Sequence, residues 1–514
     1  MNSRYQAYYT NSPSILEYMV SLLKPRPGAR LLEPCAGEGA FIDAVLSSTP
    51  SLLIDAFELD PDASQHLLQK YKNNESVSIF HSDTLVDESL LLRMSMGGYY
   101  DLIISNPPYG AWQEYDKRKE LKKIYRGLYV KETYALFLYQ ALQLLKPGGR
   151  LVFIVPDTFL SLHMHRALRR NILLQSCIET ITLFPSSFFP GVNFGYSNLS
   201  IISLKRMESS QHNEDNQFTV SSGYREPSEL LTKPPHIKQT IFHQRDLLES
   251  IDHSLLLSQN ADHLTLLKAA TGRLGDIADC VTGIYSGNDK QFLRVLTSDI
   301  RNGAKYQTVS QEMIYRGKEP PSLHGIATRD CFVPILKGGG VRFHKPNLWF
   351  LDWSVEAVHH YQTNQKARFQ NSRYYFKTGI GVPMVSSSSV TAALIEQRIF
   401  DQSIVGIFPH EPKYLYYLLG FFNSTLCTTL LRTINPSANN SANYIKKLPF
   451  LVPTDEHLNR VNTHVRTILS QLTKTGGCAA SDIEFLNREF ESAYNLKQTA
   501  VDIQWGNSLT SRSS

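Results

Sequence analysis

The feature that most constrains this chain is the alternation, over its first two hundred residues, of short apolar runs with segments of helical spacing. Runs that read as strands lie at 29–33, 52–59, 77–80, 99–105, 150–155, 178–184 and 199–204. Between the early ones, residues 40–46, 63–71 and 134–145 space their apolar side chains for helices, and the last of these meets a stop signal at Pro147-Gly148-Gly149. Strands that alternate with helices form a parallel sheet covered on both faces. The fold class expected is therefore α/β, with a seven-stranded doubly wound sheet over residues 1–205.

The rest of the chain reads differently. Residues 206–262 open on polar text and are expected to form a linker or connecting region. Residues 263–452 are rich in aromatics and turn residues without βα alternation, which fits a second, mixed α+β domain. Residues 453–505 again show helical spacing, at 455–471 and 482–495, and 506–514 read as a frayed tail. With 42% hydrophobic and 19% charged residues, 514 residues suffice for several cores and exclude disorder by composition. The six cysteines are dispersed, with no CxxC pair, which excludes a disulfide scaffold or a cysteine-rich zinc module and points to a reducing cytoplasm. The start lacks the apolar core of a secretory signal. Residues 378–395 and 414–431 are long and uncharged, but Ser386 to Ser389 interrupt the first, and Asn423, Ser424 and Thr425 the second. Both read as buried elements, and no membrane partner is expected.

The formal net charge of +5 is unevenly placed: residues 331–450 hold twelve Lys/Arg against five Asp/Glu. Trp349, Trp353, Tyr374, Tyr375 and Phe376 are interleaved with these cations, a pattern that suits phosphate contacts. On charge alone, a solvated face is an equal alternative.

Three strings carry chemistry. The first, Leu32-Glu33-Pro34-Cys35-Ala36-Gly37-Glu38-Gly39-Ala40-Phe41, runs from an apolar strand through small residues into a helix. Gly37 and Gly39 allow a tight turn and a close approach of backbone to ligand, yet the spacing is neither GxGxxG nor GxxxxGK[ST]. Next, Glu58 ends the second strand 21 residues beyond Gly37, where an acid can hold ribose hydroxyls, and Asp83 follows the third strand, where it can accept from an adenine amine. Last, Ser105-Asn106-Pro107-Pro108-Tyr109-Gly110 follows the fourth strand. Two prolines there remove backbone donors and fix carbonyl directions. An exocyclic amine needs acceptors for both hydrogens. The Asn106 side-chain oxygen and the Pro107 carbonyl can supply them, while the Tyr109 ring stacks on the base.

In this order the strings resemble the S-adenosylmethionine-dependent methyltransferases that act on planar nitrogens, and more narrowly the gamma-class DNA adenine N6-methyltransferases of restriction–modification systems. Tyr8-Tyr9-Thr10-Asn11-Ser12-Pro13 is similar to the opening segment of that class, with Asn-Ser inserted where Thr-Pro is usual. Residues 144–156, Phe188-Phe189-Pro190-Gly191-Val192, and the recognition-domain segments 282–290 and 373–380 extend the likeness. The resemblance implies a catalytic set of Asn106, Pro107, Pro108 and Tyr109, with Phe189 as a second aromatic facing the target base. It implies a cofactor set of Thr10, Glu33, Cys35, Ala36, Gly37, Gly39, Glu58, Asp83 and Asn106, with S-adenosyl-L-methionine as cofactor. The implied partner is double-stranded DNA, with a cognate restriction endonuclease sharing the target sequence, and residues 263–452 become a DNA-recognition domain.

Other readings remain in view. Similar Asn-Pro-Pro-Tyr sites methylate RNA bases or protein glutamine, and a modification subunit of a larger restriction complex is a further alternative, although the short N-terminus leaves no room for its helical leader. A DNA-binding subunit with a degenerate cofactor fold is the non-enzymatic rival. His163/His165 and His359/His360 lack a third ligand at metal spacing, so no metal site is expected. With no carboxylate–lysine nuclease constellation, cleavage falls to a separate protein.

Overall fold

All seven apolar runs are strands, and the sheet that they form is organised by its shortest member. In a computed structural model, β1 (Arg30–Glu33) lies between β2 (Leu53–Glu58) and β4 (Tyr100–Ser105) and is parallel to both. β3 (Val77–His81) extends the sheet beyond β2, and β5 (Leu145–Pro156) pairs in parallel with β4. β6 (Ser176–Pro185) and β7 (Asn198–Arg206) follow, with β7 inserted antiparallel between β5 and β6. Strand progression therefore reverses at β1, and the carboxyl ends of β1 to β4 open on one edge, the usual place for a ligand in such sheets. Leu151 to Val155 in β5 are fully buried, as expected of a strand covered on both faces. The helices fall into two groups. Pro13–Leu23 packs with Ala40–Ser48 and Glu229–Thr232, and Thr133–Leu144 packs with Glu88–Ser95 and Arg166–Gln175.

The structure describes residues 10, 12–109, 115–189, 198–207, 215–255, 266–267, 270, 272–300, 302–386, 389–435, 439–475 and 478–494. Two sequence expectations need correction. The sheet has nine strands, not seven, because the presumed linker contributes β8 (Gln217–Ser222) and β9 (Lys238–His243). β8 runs parallel to β6 and antiparallel to β9. Its period of two is short: Phe218 and Val220 are buried while Gln217 and Thr219 are not. β9 is an edge strand, nearly all exposed, so its residues are polar and read as loop. The first compact unit accordingly runs to Leu255, and the second comprises Leu256–Ser514.

The second unit holds a four-stranded antiparallel sheet (Ala278–Thr282, Ile404–Pro409, Gly379–Pro383, Ala393–Ile395) and a five-stranded one centred on Leu293–Val295, Trp349–Asp352 and Phe332–Leu336. The helices Asp455–Thr475 and Ala480–Ala493 pack on Leu415–Phe422 and Thr425–Ile434, which divide the uncharged stretch at Asn423-Ser424. No helix among the described residues is long and apolar enough to cross a membrane. The second correction lies in this unit. Trp349, Trp353, Tyr374, Tyr375 and Phe376 are all buried, so these rings build the core and are not offered to a nucleic acid. Several interleaved cations are structural too. Lys337 donates to Asp289 and Asp401 at 3.0 and 2.9 Å, buried Arg398 to the Lys345 carbonyl, and Arg432 to Ser386 and Asn440.

Gln244 shows that the presumed linker belongs to the first unit. Fully buried, it donates to the carbonyls of Leu173 and Ser176 (2.9 and 2.6 Å) and accepts from the Ile178 amide and the Asn216 side chain (3.0 and 2.9 Å). Each buried group left unpaired costs about 1–3 kcal/mol. Gln244→Leu is expected to destabilise the first unit by about 3 kcal/mol or more, read as an earlier urea transition of the full chain. An unshifted transition would exclude residues 215–255 from the unit's cooperative core.

Candidate functional site

The glycine turn is shaped by its neighbours on both sides. Beyond β1 the backbone takes positive φ at Gly37 (54°) and Gly39 (83°), and Gly39 caps the helix Ala40–Ser48. A Cβ at Gly39 would lie 2.7 Å from the Tyr71 hydroxyl and 2.9 Å from Leu67 Cδ2, so both conformation and space demand glycine. Glu58 braces the turn from β2: its Oε2 accepts from the Gly37 amide at 2.7 Å and its Oε1 from the Asp60 amide at 2.8 Å. Thr84, after β3, donates to the Pro34 carbonyl at 2.6 Å. Glu33 Oε1 accepts from the Cys35 amide at 3.2 Å and from Ser105 Oγ at 2.7 Å, joining the turn to the end of β4. Burial holds the Glu33 carboxyl well above the usual carboxylate range and pushes the Cys35 thiol well up, so Cys35 is not a thiolate nucleophile.

These strand ends enclose a cavity of about 250 Å³. Of the residues anticipated from sequence, Thr10, Cys35, Ala36, Gly37, Glu58, Asp83, Asn106 and Pro108 line it. Glu33 and Gly39 support the lining turn from behind, Glu33 through Cys35 and Gly39 through its carbonyl bond from the Tyr71 hydroxyl. Sequence reasoning did not assign Phe41, Asp43, Lys70, Thr84 and Phe137 to the site, and they line it together with Pro34, Glu38, Ala40 and Leu59. Lys70 bridges Asp43 (2.6 Å) and the Glu38 carbonyl (3.0 Å), a pairing across 27 and 32 residues that no local pattern signals.

Asn106 sits at the floor, fixed from two sides. Its Nδ2 donates to Thr10 Oγ1 at 3.0 Å, and its Oδ1 accepts from the Tyr109 hydroxyl at 2.5 Å. Tyr109 is 1% exposed, edge-on to Tyr134 at 6.5 Å, so its ring faces the interior and not the cavity. Thr133 donates to the Pro108 carbonyl at 2.7 Å, and Pro107 is buried. Lys117, from the helix Tyr115–Ile124, is ion-paired with Asp83, the acid anticipated for an adenine amine. Phe189 and Phe188 are buried against Phe184, with ring centroids 6.4 and 5.4 Å away, and neither lines the cavity. Tyr196 and the segment 190–192 lie outside the described residues, as do Tyr8, Tyr9 and Asn11. Of the histidines noted in sequence, His163 pairs with Asp252 at 2.7 Å, and His165 with Glu132 at 2.8 Å and Tyr134 at 3.0 Å.

The sheet is mixed, and its parallel part places a glycine turn at the switch point and acids at the ends of the next strands on one edge, in an α/β fold. Residues 43–189 match the family described as Eco57I restriction-modification methylase. Among curated relatives, Type II methyltransferase M.HindII of Haemophilus influenzae is 29% identical over 301 residues, covering 54% of this chain and 53% of that protein. M.HincII of Haemophilus influenzae is 30% identical over 187 residues, 35% of this chain and 34% of the relative. M.TthHB8I of Thermus thermophilus is 31% identical over 192 residues, 35% and 41% respectively. The chain thus spans about half, or less, of the length of the relatives that it matches. A solved DrdV–DNA complex covers 91% of this chain and 57% of the other at 12% identity, with a TM-score of 0.49.

One titratable group at the carboxyl end of β5 carries a pH signature. Burial pushes the Asp157 carboxyl up to about 6, against the opposing hydrogen bond from Asn198. A carboxyl whose folded pKa exceeds its unfolded value, near 3.8, favours the native state below that value, and this contribution is lost as pH rises to about 6. Asp157→Asn removes the titration. The variant's stability relative to wild type is expected to rise between about pH 4 and pH 6 and to level off above. Thermal melts across that range test it, and a difference independent of pH would contradict the burial of the charge.

Proposed function

We propose that this chain is a sequence-specific DNA methyltransferase that modifies the N6 amine of an adenine flipped out of double-stranded DNA, as the modification enzyme of a restriction–modification system. The observation that carries this reading is Asn106, first residue of Asn106-Pro107-Pro108-Tyr109, on the wall of the same cavity as Glu58 and Asp83. The restriction-modification methylase match over residues 43–189 and the Type II methyltransferase names of the relatives support it.

The donor set of the cavity fits S-adenosyl-L-methionine. Glu58 suits ribose hydroxyls, Asp83 an adenine amine, the Cys35–Gly37 backbone and Thr10 the amino-acid end, and bound there the cofactor supplies an electrophilic sulfonium methyl. The base must leave the duplex, since its amine is otherwise paired. Asn106 Oδ1 and the Pro107 carbonyl then accept the two amine hydrogens, which aims the nitrogen lone pair into the cavity. For this, Tyr109 must withdraw its hydroxyl from Asn106 Oδ1 and turn its ring toward the base. Phe189 is the candidate for the opposite face, after moving out from Phe184. The residues act by alignment and by fixed acceptors. Residues 1–205 belong to the transfer and 263–452 to recognition, in a cytoplasmic protein whose cognate endonuclease would read the same sequence.

Asn106→Ala is expected to lower methyl transfer by at least about 100-fold, the scale of losing one preorganised polar contact, while cofactor affinity measured by calorimetry stays within about two-fold of wild type. Glu58→Ala is expected to do the reverse and to weaken cofactor binding roughly tenfold or more, as the loss of charged hydrogen bonds implies. Transfer is read with labelled cofactor on unmethylated DNA, RNA and cell protein side by side. Turnover by Asn106→Ala within a few-fold of wild type removes it from the reaction, and label on RNA or protein but not DNA overturns the substrate.

A further inference from the structure

The most basic stretch of the first unit is not in the region that sequence reading assigned to nucleic acid. Residues 115–131 hold seven Lys/Arg (Lys117, Arg118, Lys119, Lys122, Lys123, Arg126 and Lys131) against Asp116 and Glu120, a surplus equal to the formal charge of the entire chain. No acid lies between Glu120 and Glu132. The stretch is clipped to the site at both ends. Lys117 pairs with Asp83 on the cavity wall, and Thr133, two residues beyond Lys131, donates to the Pro108 carbonyl at 2.7 Å. In between, Leu121 and Tyr125 are buried, with the Tyr125 hydroxyl donating to the Leu85 carbonyl at 2.8 Å, two residues beyond Asp83. One face is thus fastened down, and Lys119, Lys122, Lys123, Arg126 and Lys131 are exposed.

An ordinary solvated helix does not account for this face. Asp116 pairs with Lys119 at 3.5 Å, yet cations outnumber acids seven to two over the stretch, and Arg118/Lys122 and Lys119/Lys123 stand four residues apart on one helix, where like charges repel. The helix dipole favours Lys122 and Lys123 in the last turn of Tyr115–Ile124, but Arg126 and Lys131 lie beyond it. A polyanion laid across the strap would relieve the repulsion of the whole group, including these two.

We infer that the strap of residues 115–131 is a phosphate-contact surface of the catalytic unit itself: its exposed cations hold the sugar–phosphate backbone of the duplex beside the base that enters the cavity. This rests on the DNA reading above and extends it, since it moves backbone contacts from the second unit to the rim of the site. Lysine and arginine side chains that neutralise phosphates release counterions, and each contact adds about 0.9 to the slope of log affinity against log salt. Such contacts fix the register of the duplex without reading its sequence.

The test uses the full chain with Lys122→Gln, Lys123→Gln, Arg126→Gln and Lys131→Gln combined, and a short fluorescein-labelled unmethylated duplex followed by anisotropy across a salt series. The slope is expected to flatten by about 3.6, with cofactor affinity and melting temperature unchanged. The pair Arg126→Gln and Lys131→Gln, outside the helix, is expected to flatten it by about 2 and serves if the fourfold variant does not fold. An unchanged slope overturns the inference and leaves the DNA reading standing. So does equal flattening by Arg225→Gln with Lys233→Gln, exposed cations elsewhere on the unit. A wild-type chain that binds no duplex overturns the DNA reading and this inference with it.

Discussion

Glu33 ends β1, the strand at the switch point of the sheet, with one oxygen shared between two neighbours, the amide of Cys35 in the glycine turn and the hydroxyl of Ser105 at the end of β4. Its other oxygen is buried without a hydrogen-bond partner among the described residues. Burial of a carboxyl costs free energy unless its polar atoms are satisfied, and the upward pull on its pKa is the sign of that cost. What the arrangement secures is distance. Asn106 follows Ser105 directly, so the clamp fixes the turn on one wall of the cavity relative to the asparagine on the other. Glu58 adds a second brace by tying Gly37 to the end of β2. The strand order makes both braces possible, because β1 lies between β2 and β4, parallel to both, so that the three strand ends open on the same edge.

Much of this was legible in the sequence, for physical reasons that differ by element. Six of the seven strands of the first two hundred residues are buried deeply enough that their apolar runs could not be polar, with β3 half-buried at the edge, and the helix that meets Pro147-Gly148-Gly149 stops at Leu144 as its text implies. The glycine turn and the acids after β2 and β3 are local features with fixed spacing, and most of them converge on one cavity. The misreadings have a common origin in partners that are distant along the chain. β8 and β9 carry few apolar residues, β9 because it meets solvent along most of its length, and their links to the unit are long-range: the pairing of β8 with β6 and the bonds of Gln244 to groups 66 to 71 residues away. The aromatics between 349 and 376 were read with the cations that surround them, yet they are buried against one another, Trp353 on Phe369, Tyr375 and Phe376. Neither the Lys117–Asp83 pair nor the inward ring of Tyr109 has any signature in spacing, since both depend on side-chain torsions and contacts made after the sheet is assembled.

The bond from the Tyr109 hydroxyl to Asn106 Oδ1 has a consequence for selectivity. A buried acceptor that already holds a good donor can be claimed only by a newcomer that brings a donor of its own. A group without one leaves the amide oxygen unpaired in a dry site, a deficit of about 1–3 kcal/mol. The tyrosine therefore acts as an internal competitor. On the function proposed above, it would lower the apparent affinity for every incoming base by the fraction of time that it spends inward, and a base with an exocyclic amine would recover that loss by replacing the bond. A carbonyl at the same position could not. Discrimination at this pocket would then begin before any methyl group is in reach, in the exchange of one hydrogen bond for another at a single oxygen atom.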